Sequence, residues 1–290
     1  MGLDARGGIS VLQLLIYIPI LVFSAILVKR HGFRKQGGWI FLLILSIVRI
    51  IGSGAHIAAE LSSDPSVGLI TTFLILDNVG LSPLIGCTIG FLTTVGAGTF
   101  DNDKRFTLGL RLLGLLATIA TILTIVGAID VSDAKDQSDI NSAINYRHIG
   151  GIMYLLLFLF VVMTYGFFWS NKDSIALTKR ALFVGLSAVL PLLFIRTLYS
   201  LLSDFAPIAI PPATATTNSL SKFSNTTGSW EIYLVMSVIC EVASVVTYLV
   251  VGMRTPVGEE TSQAHPMGSV PDASRSTFDT SFDPSYSKPY

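Results

Sequence analysis

In the stretch LILSIVRIIGSGAHIAAEL, residues 43–61, a run of aliphatic side chains is interrupted by Arg49, Ser53, His56 and Glu60. At 3.6 residues per turn these positions fall on one face of a helix, so they form a polar stripe on an apolar rod. Two further stretches repeat the pattern. In PLLFIRTLYSLLSDF, Arg196, Tyr199, Ser200 and Ser203 share a face, and in EIYLVMSVICEVASVVTYL so do Ser237, Glu241, Ser244 and Tyr248. A fourth, LILDNVGLSP, places Asp77 and Asn78 ahead of Pro83. A carboxylic acid screened from water can donate a proton to an epoxide or alkene, with aromatic faces stabilising the cation that develops. Glu60 and Asp77 are the candidate proton donors, and His56 the residue that tunes them. No metal-ligand spacing, phosphate loop or nucleophile elbow occurs, and neither a metal nor a cofactor is expected.

The elements that must hold these residues are membrane helices. Of the 290 residues 51% are hydrophobic and 13% charged, with a mean hydropathy of +0.66, which is too apolar for an ordinary soluble domain. A span needs about 20 mostly apolar residues. Seven stretches qualify, at roughly 9–28, 38–60, 68–96, 106–128, 148–169, 180–203 and 230–252. The expected architecture is an all-α, polytopic seven-helix bundle over residues 9–253, preceded by a short lumenal segment, 1–8. Residues 254–290 are rich in Ser, Thr, Pro and Asp and read as a disordered tail.

Net charge is zero, so no nucleic-acid partner is implied. Its distribution sets the orientation. Lys29, Arg30, Arg34 and Lys35, then Lys104 and Arg105, then Lys172, Lys179 and Arg180 crowd three alternate connections; the others hold only Lys135, Arg147 and Lys222. The positive-inside rule makes the rich set cytosolic, with the N-terminus lumenal or extracellular and the tail cytosolic. Asn225-Thr226-Thr227 is a glycosylation sequon in a connection that this topology makes lumenal. The first span lacks a basic n-region and is expected to act as its own, uncleaved targeting signal. Cys87 and Cys240 fall at different depths and read as small buried residues.

Depth, at about 1.5 Å of rise per residue, pairs the charges. Arg49 and Glu241 lie near the middle of their spans and are expected to form a structural ion pair; Asp77 and Arg196 share a level nearer the lumenal end. Lipid cannot satisfy such groups, so they face the bundle interior. Arg196, Tyr199, Asn78 and Ser53 are the candidate substrate-binding residues of a lumenal-half pocket. Such a pocket suits a lipophilic small molecule or membrane lipid with one or two polar atoms. Arg111 is expected to snorkel, and Tyr17, Trp39, Trp169 and Trp230 to form an interfacial belt.

The phrases VRIIGSGAHIAAE, LILDNVGLSPLIGCTIGFL, LPLLFIRTLYSLLSDF and MSVICEVASVVTYLVVG resemble a family of fungal seven-transmembrane proteins, some labelled family C-like G-protein-coupled receptors. The likeness covers roughly residues 8–253 and implies the fold and a fungal source. In architecture alone, seven spans with intramembrane acids are similar to fungal integral-membrane terpene cyclases. The leading expectation is therefore an acid-initiated cyclase of isoprenoid (meroterpenoid) secondary metabolites. The alternatives are a receptor for a small lipophilic ligand and, third, a lipid or small-molecule transporter. Against a typical receptor, the third span ends TVGAGTFDNDKR without an Asp-Arg-Tyr-type switch, and the seventh ends VASVVTYLVVG without Asn-Pro-x-x-Tyr. The membrane is expected to be the endoplasmic reticulum or the plasma membrane.

Overall fold

The computed structural model of the chain describes residues 3–31, 38–62, 67–97, 104–133, 136–174, 177–207, 219–225 and 227–255. Its helices are α1 (Ala5–His31), α2 (Gly38–Leu61), α3 (Val67–Val79), α4 (Leu81–Gly96), α5 (Lys104–Asp133), α6 (Gln137–Ser170), α7 (Leu177–Asp204), α8 (Trp230–Ile232) and α9 (Cys240–Arg254). A π-helical segment, Tyr233–Ile239, joins α8 to α9. Among the described residues there is no strand, and seven segments are long and apolar enough to cross a membrane. The fold is an all-α seven-span bundle of a multi-pass membrane protein. These helices belong to one compact unit, Met1–Pro256. The expected tail lies, beyond Thr255, outside the described residues.

The third span is the hub. Of its most apolar stretch 72% is buried, against 33% to 44% for each other span, so its helices are enclosed by their neighbours. It is broken in two at Gly80, where α3 ends and α4 begins. Pro83 falls in the first turn of α4, where a missing N–H costs no helical bond. From α4, Leu84, Phe91 and Val95 pack into one core with Leu42 and Leu45 of α2, Leu157 of α6, Leu193 of α7 and Tyr248 of α9. The outward faces are lined by exposed Leu15, Leu115, Met163 and Val184, as a surface solvated by lipid requires.

Two belt expectations are corrected. Tyr17 is completely buried, and Trp39 is 2% exposed, its ring stacked 5.0 Å from His31 and tilted 4.5 Å from Phe91. Both face inward because each meets a partner there that lipid could not provide. Trp169 and Trp230 are exposed, as is Arg111. Cys87 and Cys240 are both free and buried.

A candidate site built on a buried charge network

Four of the charged residues in the spans meet in one place, Arg49, Asp77, Arg196 and Glu241, while Arg147 and Asp204 pair separately at 3.7 Å. Arg49 Nη1 donates to Asp77 Oδ1 at 2.6 Å, while its Nε and Nη2 grip the two carboxylate oxygens of Glu241. Arg196 completes the set, with Nε donating to Glu241 Oε2 at 3.3 Å and Nη2 to the Asp77 backbone carbonyl at 3.2 Å. Each of the four residues is at most 4% exposed. Two guanidiniums thus face two carboxylates, the charge sums to zero, and α2, α3, α7 and α9 are tied at one level. Such bidentate, charge-assisted bonds offset the desolvation that burying an ion entails. The stripes explain the convergence. Ser237, Glu241, Ser244 and Tyr248 are all buried, as are Arg49 and Ser53 on α2 and Arg196, Tyr199, Ser200 and Ser203 on α7.

Three residues outside the stripes complete the network. Tyr17 of α1 donates to Glu241 Oε1 at 2.7 Å, and Tyr233 of the π segment to Asp77 Oδ1 at 3.0 Å. The i→i+5 bonding of a π segment adds a residue to the turn, and such segments recur at functional sites. Here it precedes Glu241 and brings Tyr233 and Glu241 onto the same cluster. The third is Gly80, at the break of the third span. A Cβ there would stand 2.8 Å from Arg49 Nη2 and 2.9 Å from Cζ, so the guanidinium fits only against a bare backbone.

Asn225 enters this cluster from the connection between α7 and α8. Its Nδ2 donates to Asp77 Oδ2 at 3.1 Å and Asn78 Oδ1 at 3.3 Å, and its Oδ1 accepts from Tyr199 Oη at 2.9 Å and Ser203 Oγ at 2.7 Å. This geometry bears on the expected glycan at Asn225. The nitrogen a glycan would occupy belongs to a residue 6% exposed and donates to two acceptors, so a glycan there would have to displace both bonds.

His56 and Glu60 form a second, more open group at the end of the bundle where α1 begins. Glu60 Oε1 lies 3.5 Å from His56 Nε2, and His56 Nδ1 lies 2.8 Å from Ser10 Oγ. The imidazole packs against Phe73, centroids 4.1 Å apart. Glu60 Oε2 accepts the Asp4 amide at 3.3 Å, and a Cβ at Gly7 would stand 1.9 Å from that oxygen, so a larger residue there would push the Glu60 carboxylate aside. Asp4 caps α1, its Oδ1 accepting the amides of Arg6 at 2.7 Å and Gly7 at 2.9 Å. The Gly7 amide, ahead of the Glu60 and Arg6 contacts, holds the Asp4 carboxyl below its ordinary value of 3.8 against the opposing effect of partial burial.

The structure therefore joins Asp77, Asn78, Arg196, Tyr199, Arg49 and Glu241 in one cluster and leaves His56 and Glu60 apart from it. Ser53 is buried in the same stripe. Among the described residues no cluster of His, Cys, Asp or Glu has the makings of a metal site. Sequence reasoning missed Tyr17, Tyr233, Gly80 and Arg6, and gave Asn225 no place in the network. Of these only Gly80, flanked by Asp77-Asn78 and Pro83, carries a signal a reader could have used. A search of curated proteins returns no match for this chain. The family described as a domain of unknown function (DUF7702) matches residues 3–257, nearly the whole chain, which belongs to that family.

Proposed function

We propose that this protein is a receptor-type switch of the endoplasmic reticulum or plasma membrane, with its N-terminus lumenal or external, responding to a small lipophilic ligand with a polar head. The observation that supports the reading is the saturated charge network. Ionisable residues inside a membrane are costly and mark functional sites by default, and here four of them lock four helices at one level. A ligand that contributes one polar group to such a closed set displaces a partner, and the helices must re-pair in a second arrangement.

The acid-initiated cyclase is the second reading, and it now rests on Glu60. Around Asp77 every partner donates, from Arg49, Tyr233 and Asn225, which suits an acceptor and not a proton donor. Glu60 stands outside the guanidinium network, with His56 beside it, yet its side chain is 18% exposed at the rim where a cyclase needs a dry pocket.

Spin labels on the ends of α2 and α7, with the full chain in nanodiscs, test the switch. Two distance populations whose ratio changes in Glu241→Gln are expected; one unchanged population removes the receptor reading. The cyclase is tested in a host fed epoxidised farnesyl phenols. A cyclised product lost in Glu60→Gln would reverse the order of the two readings.

A further inference from the structure

The Asn225 side chain is bound as a ligand would be. Two acceptors, Asp77 Oδ2 and Asn78 Oδ1, face its amide nitrogen, and two donors, Tyr199 Oη and Ser203 Oγ, face its carbonyl oxygen. All four residues are at most 5% exposed and all belong to the bundle, whereas Asn225 belongs to a connection. The donor and acceptor pattern is that of one planar carboxamide. A hydroxyl would fill half of it, and a carboxylate would meet Asp77 as a like charge.

The connection is held in place from outside. Arg6 donates to the carbonyls of Asn225, Ser224 at 3.1 Å and Gly228 at 2.6 Å, and its guanidinium lies 5.9 Å from the Tyr233 ring centroid. Within the connection, Gly228 N donates to Ser224 O at 3.0 Å and Ser229 N to Lys222 O at 2.9 Å. One guanidinium therefore straps a short turn over the cluster, and the turn inserts a single amide into it.

We infer that this position is a carboxamide-binding subsite, filled here by the chain's own Asn225, and that the external ligand is a lipophilic molecule bearing a primary amide that displaces the turn. This rests on reading the cluster as a ligand site and adds the chemical class. Withdrawing Asn225 without a substitute leaves two donors and two acceptors unpaired in a buried place, which is unfavourable. A primary amide restores all four bonds, and its apolar part then lies where the turn was.

Hexanamide is the probe and N,N-dimethylhexanamide, which has no N–H, the control. In the wild-type full chain in nanodiscs, hexanamide should speed hydrogen exchange of the amides of residues 221–229, and it should raise the Tm of Asn225→Ala; the control should do neither. Equal action of both compounds, or of neither, overturns the subsite. Should Asn225→Ala fail to accumulate, Arg6→Gln keeps the amide and the four groups that hold it. There half-maximal loop exchange should need roughly tenfold less hexanamide than in the wild type, because bonds from a charged group that hold the turn are gone. An unchanged requirement overturns the proposal. Two spin-label populations with no hexanamide effect would sink the amide and spare the receptor; hexanamide binding with one population would do the reverse.

Discussion

Arg49 touches both carboxylates of the network, so the cost of losing it falls on two residues at once. Removing one member of a buried ion pair costs about 3–5 kcal/mol, because its partner is left charged and unpaired. Arg49→Ala and Glu241→Ala should each lose stability on that scale, measured as SDS-induced unfolding in mixed micelles. The double variant should fall short of the sum, since residues in one network do not act additively. Gly80→Ala reaches the same guanidinium from the opposite side. Its methyl would stand 2.8 Å from Arg49 Nη2, which is held by Glu241 and cannot swing away freely. We expect a loss of about 1–3 kcal/mol, the range for overpacking, and a much smaller loss in an Arg49→Ala background. Equal losses in both backgrounds would show that the close approach has no energetic consequence.

At the scale of the element, α1 begins at a cap that titrates. The folded pKa of Asp4 is lowered from 3.8, so its contribution is complete above 3.8 and fades as pH falls through the lower, folded value. Exchange protection of the Arg6 and Gly7 amides, corrected for intrinsic rates, should be flat between about pH 5 and pH 7 and decline only below 3.8. Asp4→Ala should remove that dependence and cost about 1 kcal/mol, the typical value of an N-cap. The start of α1 matters beyond its own turn, because Arg6 sits there with the strap to residues 224–228. The seven helices themselves were legible from apolar length, and the stripes on α2, α7 and α9 from a period of 3.6. The break at Gly80 was signalled by Pro83, but the π segment was not legible. The π segment carries Tyr233 to the Asp77 carboxylate, a partner far away in the chain that the local sequence does not name.

For the whole molecule, the packing of Asn225 makes a prediction about processing. The chain purified from a eukaryotic host should show no mobility change on N-glycosidase treatment, and Asn225→Gln should be destabilised with no loss of mass from a glycan. A glycan found on Asn225 would mean that this connection packs otherwise than described. The sequon pointed the other way because a three-residue pattern reports where an enzyme could act and says nothing of what the asparagine touches after folding. By itself the sequence determined the class of the protein, the spans, and the inward set of Arg49, Asp77, Arg196 and Glu241, because hydrocarbon forbids those groups any other place. Only the tertiary structure decided who pairs with whom. It put Arg49 across both acids, turned Tyr17 and Trp39 inward, and set Asn225 between Asp77 and Tyr199. Depth along a helix follows from residue spacing, but partnership depends on rotation and on connections that fold back, and these are fixed by contacts between residues far apart in the chain.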